Sequence, residues 1–185
     1  MSSVAPVDLH IAPATADDLP TIAEIHVRSW QAAYRELLPA AYLAGLDIAD
    51  RLARWRMVVD RHGPDDALMI ATTAVGPVGF VSAGRGRQAP RTDQGEIHAI
   101  YLVENAWGLG VGRALFEVCA RHFRDRGFAL AHLWVLADNA RAIRAYRAWG
   151  GTLVTDDAIE TTIAGRTLRE FAVEFDLVDP DPTAS

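Results

Sequence analysis

The segment with the clearest chemistry is glycine-rich: residues 107–112 are Trp-Gly-Leu-Gly-Val-Gly, and Arg113 follows. It lies between a strand-like run at residues 96–103 and the amphipathic pattern of a helix at residues 111–126. Glycines at such a junction allow backbone amides to converge on an anion, and the helix dipole adds positive potential there. Arg113 would oppose that dipole unless an anion lies beside it. The segment predicts an anion-binding loop, with a plain tight turn as the alternative.

Two common phosphate motifs do not describe this loop. A P-loop ends in Gly-Lys-Ser/Thr, whereas Gly112 is followed by Arg113 and Ala114. The dinucleotide fingerprint places its third glycine three residues after the second and follows the first strand of the fold. Here the glycines are spaced by two, deep in the chain. An anion site of another type is therefore expected.

The elements that must position the loop alternate between strands and helices. Apolar periodicity predicts the order βααβββαβαββ, typical of an α/β or α+β sheet protein with helices on its faces. The predicted strands span residues 8–12, 67–74, 78–84, 96–103, 129–135, 152–156 and 169–177. The predicted helices span residues 19–34, 40–60, 111–126 and 140–149. Residues 84–95 are polar and rich in turn residues, so we expect an exposed loop there.

Length and composition are those of one domain with a substantial core, since half of the 185 residues are apolar. We expect that domain to span residues 8–177. Residues 1–7, which are mostly small, and the proline-rich residues 178–185 are expected to be disordered.

Charge and composition also bear on partners. The net charge of −6 argues against a nucleic-acid partner and is compatible with a cationic substrate. No apolar run approaches the ~20 residues that cross a membrane, and the start resembles no secretory signal. Cys119 is the only cysteine, which excludes an internal disulfide and a multi-cysteine zinc site. We expect a cytoplasmic monomer or homodimer without a metal.

The loop resembles the acetyl-coenzyme A loop of the GNAT acetyltransferase superfamily, Arg/Gln-x-x-Gly-x-Gly/Ala. Residues 107–112 fit this pattern except at Trp107, which replaces the polar first residue. The Val-x-Pro that often ends the preceding strand is Leu102-Val-Glu here, so the proline is missing.

A second block supports the resemblance. Asn139 is followed seven residues later by Tyr146, as in the family, and Gly150-Gly151 replaces the usual Gly-Phe. The similarity covers residues 8–177 in element order and is strongest at residues 79–151. Residues 30–39 also look like the first-helix region of many uncharacterised bacterial members.

The resemblance implies a single mixed, mostly antiparallel sheet with helices on both faces. It also implies an N-acetyltransferase that uses acetyl-CoA as co-substrate. The acceptor would be a primary amine of a small molecule or peptide, which attacks the thioester directly in a ternary complex.

The resemblance assigns cofactor contacts to three parts of the chain. The backbone of Ile100, Tyr101 and Leu102 would bind the pantetheine, and an amide near Ile100, freed by a splay in the sheet, would stabilise the thioester oxygen. The pyrophosphate would lie on the loop residues Gly108, Leu109, Gly110, Val111, Gly112 and Arg113. Asn139 would contact the cofactor's arm, unless it only caps the following helix.

Proton transfer is assigned to two residues. Glu96 has the spacing from Gly110 of a general-base glutamate in the histone-acetyltransferase branch, and Tyr146 is the family's usual acid toward the thiolate. Residues 96, 98 and 100 would share a strand face, so His98 could assist or replace Glu96. The alternatives are a solvated strand-end carboxylate for Glu96, a packed or exposed imidazole for His98, and core packing for Tyr146.

The acceptor pocket would involve the first helices. Trp30 and Tyr34 lie four residues apart and could hold an apolar or cationic group, although core packing explains them equally well. Together with His98 they are the predicted substrate-binding residues. Cys119, on the apolar face of the helix after the loop, is not expected to be catalytic.

Two other classes of function compete with catalysis. A sensor module could bind acyl-CoA without turnover, but loss of Glu96 or Tyr146 would have favoured it, and both are present. A nucleotide-binding module could use the glycine loop for another phosphate ligand.

Overall fold

Seven strands form one sheet in the computed structural model, which describes residues 8–178. They are β1 (His10–Pro13), β2 (Ala67–Thr73), β3 (Gly76–Arg85), β4 (Gly95–Leu102), β5 (Leu130–Leu136), β6 (Thr152–Ile163) and β7 (Arg166–Asp176). Their order is β1-β2-β3-β4-β5-β7-β6. The β4–β5 pair is parallel, and the other neighbouring pairs are antiparallel. The predicted mixed, mostly antiparallel sheet is confirmed.

Five α-helices accompany the described strands, and they cover both faces of the sheet. They are α1 (Leu19–Ala33), α2 (Ala40–Ala44), α3 (Ile48–Val59), α4 (Val111–Asp125) and α5 (Ala140–Ala148). Phe80 of β3 packs against Trp55 of α3, with ring centroids 5.1 Å apart. On the other face, Gly95 of β4 lies against Phe123 of α4. Gly95 pairs with Arg85, which is five residues from Phe80 along β3 and therefore points to the face opposite to Phe80.

The helix predicted at residues 40–60 is wrong as a continuous element. The first part ends at Gly45, whose amide bonds the carbonyl of Ala41 at 3.0 Å. The second part begins after Asp47, whose carboxylate accepts a hydrogen bond from the amide of Asp50 at 2.9 Å. A glycine end and an aspartate cap therefore divide the stretch into α2 and α3.

The last two strands are longer than predicted. β6 extends to Ile163 rather than to residue 156, and β7 begins at Arg166 rather than at residue 169. The polar residues 155–157 and Ala158 lie where the pairing of β6 with β7 shifts register, which removes the alternation typical of a strand. At the far end of this hairpin, Arg166 donates to the carbonyl of Leu37 at 2.8 Å, so the hairpin reaches the segment after α1.

The exposed loop predicted at residues 84–95 is wrong in part, because Arg91 is only 3% exposed. Its guanidinium donates to Glu174 of β7 at 2.9 Å and to Asp157 of β6 at 3.0 Å. It also stacks over the ring of Trp134, 5.4 Å from the centroid. A buried cation with two carboxylates and an aromatic partner thus attaches the β3–β4 loop to the final hairpin.

The expected disorder of both ends falls almost entirely outside the described residues. Only Val178 of the predicted tail is described, and its amide bonds the Asp176 carboxylate at 2.9 Å. Among residues 8–178, no helix has the length and apolar character needed to cross a membrane.

Candidate active site

A wedge-shaped opening separates β4 from β5. The two strands pair only at Gly95 with Ala131 and at Glu96 with His132. From Ile97 onward they diverge, so among residues 8–178 no strand pairs with the edge of β4 that faces β5. This is the splay that the family resemblance predicts, and it leaves backbone groups near Ile100 available to a ligand.

A β-bulge at His98 changes which residues of β4 share a face. Ser82 pairs with Ala99 and Ala83 pairs with Ile97, so His98 is the extra residue. His98 Nε2 lies 3.9 Å from Glu96 Oε2, which shows that these two side chains lie together as predicted. The prediction that residues 96, 98 and 100 share a face is therefore wrong for Ile100, because the extra residue shifts the alternation by one.

The first cavity, called the loop cavity, has a volume of about 390 Å³ and opens at the glycine loop. Most of the predicted cofactor-binding residues line it: Ile100, Tyr101, Leu102, Gly108, Gly110, Gly112 and Arg113. Leu109 and Val111 do not, since Leu109 is 44% exposed and Val111 is buried in the core. A backbone contact from these two residues remains compatible with this placement.

Two glycines of the loop are required for different reasons. Gly110 is the N-cap of α4 with φ +83°, a left-handed conformation, and a Cβ there would meet no described atom within 4 Å apart from its chain neighbours. Gly112 sits in the first helical turn, where a Cβ would lie 3.1 Å from Leu102 and from Trp149. Gly110 therefore leaves open space above the helix N-terminus, and Gly112 permits close packing of α4.

Trp107, which replaces the polar first residue of the family pattern, makes two contacts at the loop cavity. Its indole N–H donates to the carbonyl of Leu102 at 3.2 Å. The guanidinium of Arg141 stacks on its ring, 3.6 Å from the centroid, and both residues line the loop cavity. Arg141 lies in the first turn of α5, where a cation opposes the helix dipole. A second cation thus borders the cavity, in addition to Arg113, which is paired with Glu117 at 2.8 Å.

The second cavity, called the sheet cavity, has a volume of about 200 Å³ and occupies the opening between β4 and β5. It is lined by the predicted residues Trp30, Tyr34, Glu96, His98 and Asn139. Ile100, Tyr101 and Tyr146 line both cavities, so the cavities adjoin at these three residues. A ligand in either cavity would reach the other beside the Tyr146 side chain.

Tyr146 packs edge-on against Trp149, with ring centroids 5.2 Å apart. Burial, reinforced by neighbouring Tyr101, raises the pKa of Tyr146 well above its ordinary value, against the charge of Arg141. Its hydroxyl therefore stays protonated at neutral pH and can donate a proton. Tyr146 therefore both packs against the core and lies where the two cavities adjoin.

Glu96 is 2% exposed and is held by Arg87. The Arg87 amide donates to one carboxylate oxygen at 2.8 Å, and its guanidinium Nε donates to the other at 3.1 Å. Burial alone would raise the pKa of Glu96, but the hydrogen bonds and charge of Arg87 outweigh it and hold the pKa below its ordinary value. Glu96 is therefore ionised at neutral pH, and its burial excludes the alternative of a solvated strand-end carboxylate.

Two neutral histidines flank Glu96. Burial and the charge of Arg87 lower the pKa of His98. Burial lowers the pKa of His132 to about 4, and its Nε2 lies 3.8 Å from Glu96 Oε2. Both imidazoles are therefore uncharged at neutral pH and could accept a proton from a nearby donor.

The remaining predicted residues have clear structural roles. Trp30 and Tyr34 pack edge-on with ring centroids 5.0 Å apart and form a wall of the sheet cavity. Asn139 caps α5 by accepting a hydrogen bond from the Ala142 amide at 3.2 Å. Burial raises the pKa of the Cys119 thiol to about 12, which leaves it unreactive.

Sequence reasoning missed four residues of this region. Arg141 carried the same signal as Arg113, a cation in a first helical turn. His132 carried a weaker signal, a polar residue within an apolar strand. Arg87 and the cavity-lining Glu170 carried none, because a loop conformation and a strand register bring them to the site.

The fold and the paired cavities define an enzyme-like site, with an anion loop at a helix N-terminus that opens onto a splayed parallel strand pair. Residues 20–150 match the acetyltransferase (GNAT) family. The chain therefore belongs to that family and is an acetyltransferase.

Related proteins agree with this assignment. The chain is 32% identical over 161 residues to an uncharacterised N-acetyltransferase, YuaI, of Bacillus subtilis (strain 168), covering 86% of this chain and 88% of that protein. Its fold is similar to that of PaiA N-acetyltransferase from Thermoplasma acidophilum, solved in complex with coenzyme A (TM-score 0.70, 17% identity, 91% and 98% of the two chains). It is also similar to yncA from Salmonella typhimurium, solved with acetyl-CoA (TM-score 0.66, 20% identity, 96% and 97%).

Proposed function

We propose that this chain, through a domain spanning residues 8–177, transfers acetyl from acetyl-CoA to a primary amine of a small molecule or peptide. The observation that carries the proposal is the junction of the two cavities at Ile100, Tyr101 and Tyr146. A thioester bound from one side and an amine bound from the other would meet there. Such positioning supplies much of the rate enhancement of a bimolecular transfer.

The loop cavity fits the co-substrate. The open space above Gly110 and the positive end of α4 suit a pyrophosphate, and the unpaired edge of β4 at residues 100–102 suits the amides of a pantetheine arm. When bound, acetyl-CoA supplies the activated acetyl group. Gly108 to Arg113, together with Asn139, are the proposed holding residues.

The chain's own groups perform the remaining tasks. A backbone amide near Ile100 stabilises the charge that develops on the thioester oxygen. Tyr146 donates its phenolic proton to the departing sulfur. The amine displaces the thiolate directly, so that the C–N bond forms as the C–S bond breaks and no group of the protein carries the acetyl.

Glu96 is the proposed base. Since Arg87 keeps it deprotonated, it can take a proton from the incoming ammonium through water or through His98, whose Nε2 lies 3.9 Å away. His98, neutral at neutral pH, is the competing base. The pH dependence of activity in variants of Glu96 and His98 distinguishes the two bases. An amine with a pKa of about 10 is almost entirely protonated at pH 7, so it needs a base there.

We expect Glu96→Gln to lose at least about tenfold in kcat/KM near neutral pH, in line with the loss of general base catalysis. Its activity should then rise about tenfold per pH unit toward the pKa of the amine, because only the free amine can react. Arg87→Ala is the matched control, since it breaks the same ion pair but keeps the carboxylate. It should keep activity at pH values where Glu96 is ionised, but the acid limb of its profile should lie at higher pH, because the Arg87 guanidinium no longer lowers the pKa of Glu96.

His98→Ala is measured in parallel across the same pH range, with thermal unfolding of each variant as the check on folding. A Glu96→Gln profile that superimposes on the wild type would eliminate Glu96. A collapse in His98→Ala alone would move the role to His98.

Arg141→Ala should weaken coenzyme A binding by about tenfold, the lower end of what a hydrogen bond to a charged group contributes. The reason is that Arg141 lines the loop cavity and stacks on the ring of Trp107. Trp107 is the residue that replaces the polar first residue of the family pattern. Arg144→Ala, one turn along α5 and outside both cavities, is the control. Calorimetry with coenzyme A and with phosphate-free pantetheine tests the assignment, because pantetheine should bind both variants equally. Equal coenzyme A affinity in Arg141→Ala and wild type would remove Arg141 from the site.

Turnover with an unbiased panel of small amines, antibiotics and peptide N-termini, followed by thiol release, tests the function as a whole. We expect amine-dependent release over many turnovers. Tight coenzyme A binding with no amine-dependent release would instead favour the sensor module.

A further inference from the structure

Glu170 is a carboxylate in the sheet cavity that has no side-chain partner in the described part of the chain. It lies on β7, opposite Leu136 of β5 and Ile159 of β6, and its side chain lines the cavity. Within residues 8–178, no side-chain hydrogen bond or ion pair to its carboxylate offsets its burial. Burial raises the pKa of Glu170 above its ordinary value, which means that the charged form lacks the partner that would offset its desolvation.

The other charges around this cavity are already balanced. Glu96 is neutralised by Arg87, and His98 is uncharged at neutral pH. Glu170 is therefore the charge in the described lining that a ligand could neutralise.

The remaining walls are aromatic and apolar. Trp30, Tyr34 and Tyr146 provide the rings, and Ile159 and Ile163 provide aliphatic surface. The pKa of Tyr34 is raised by burial, by Tyr101 and Tyr146 and, to a smaller extent, by the charge of Glu170. The Glu170 carboxylate therefore lies close enough to the aromatic wall to influence Tyr34. A carboxylate beside aromatic faces is a typical receptor for an ammonium group.

We propose that Glu170 binds the ammonium of the acceptor and that the acceptor is a primary monoamine with an apolar or aromatic body. This inference rests on the proposed function and deepens it. An amino acid fits less well, because a carboxylate beside its amine would face Glu170 while Arg87, the cavity's guanidinium, is engaged by Glu96.

The two carboxylates then have separate tasks. Glu170 retains the ammonium in the cavity, and Glu96 on β4 receives its proton through the water or His98 relay, since the register partners of the two carboxylates on β5, Leu136 and His132, are four residues apart. Glu170 is thus a substrate-binding residue whose loss raises the KM for the amine and leaves coenzyme A affinity unchanged.

The test is calorimetry on the full-length chain saturated with coenzyme A, using two probes that differ by one carboxylate. 2-Phenylethylamine should bind the wild type at least about tenfold more tightly than L-phenylalanine. In Glu170→Gln, the affinity for 2-phenylethylamine should fall by at least about tenfold, as expected for the loss of one charge-assisted contact. Glu160→Gln, on the exposed side of the same hairpin, is the matched control and should bind like the wild type. Glu170→Asp keeps the charge and should bind at an intermediate level.

Equal binding of both probes to the wild type, no binding of 2-phenylethylamine, or an unchanged affinity in Glu170→Gln would each overturn the inference. These failures are distinct from failure of the proposed function. If amine-dependent thiol release occurs while Glu170→Gln keeps a wild-type KM for the amine, only the inference is lost. If coenzyme A does not bind, the proposed function itself fails.

Discussion

Gly110→Asp should abolish coenzyme A binding without unfolding the protein. The substitution places a side chain and a negative charge in the open space above the N-terminus of α4, where the pyrophosphate is proposed to lie. We expect the Kd to rise by at least about a hundredfold, equivalent to about 2.7 kcal/mol. Calorimetry with coenzyme A measures this change directly.

The same substitution at Gly127 is a close control. Gly127 follows the other end of α4 with φ +80°, almost the conformation of Gly110 at φ +83°, and a Cβ there also meets no described atom within 4 Å. Both variants share the cost of a non-glycine residue in the left-handed region, about 1 kcal/mol. Gly127→Asp should lose at least as much stability, because its charge lies at the negative end of α4, but it should bind coenzyme A normally. Tight binding by Gly110→Asp would refute the placement of the pyrophosphate.

Tyr146→Phe has the second large expected effect. The change preserves the ring that packs on Trp149 and removes only the hydroxyl at the junction of the two cavities. If Tyr146 protonates the departing sulfur, kcat should fall by about tenfold to a thousandfold, the usual range for lost general acid catalysis. Thermal unfolding and coenzyme A affinity should remain close to those of the wild type.

Tyr42→Phe is the matched control, because Tyr42 of α2 lines neither cavity. Single-turnover quench measurements on both variants establish that the chemical step is being observed. An unaltered single-turnover rate in Tyr146→Phe would leave this residue with core packing as its role.

The fold was predictable where local patterns determine it. The glycine loop and the helix after it have a strong local signal, and α4 begins at Val111 as predicted. The break at Gly45 to Asp47 was missed because apolar periodicity continues across it, although the glycine and the capping aspartate were visible in the sequence. The predicted β6 was too short because the polar residues 155–157 interrupt the alternation.

The candidate site was predictable only in its composition. The types and spacing of Glu96, Tyr146 and the loop glycines indicated the chemistry, but the bulge at His98 and the splay after Glu96 arise from pairing between strands distant in sequence. The partner of Glu96 could not be anticipated either. Arg87 reaches it through a loop conformation that one buried arginine, Arg91, attaches to the final hairpin.

Direct transfer of the acetyl group inside a ternary complex is the central claim, and mass spectrometry tests it most directly. The enzyme is mixed with isotopically labelled acetyl-CoA, with and without an accepting amine, and the intact protein, the amine and the released thiol are quantified together. We predict an unchanged protein mass, label on the amine alone, and one thiol per acetylated amine over many turnovers. Labelled acetyl on the protein before the amine is added, or no labelled amine despite tight coenzyme A binding, would contradict it.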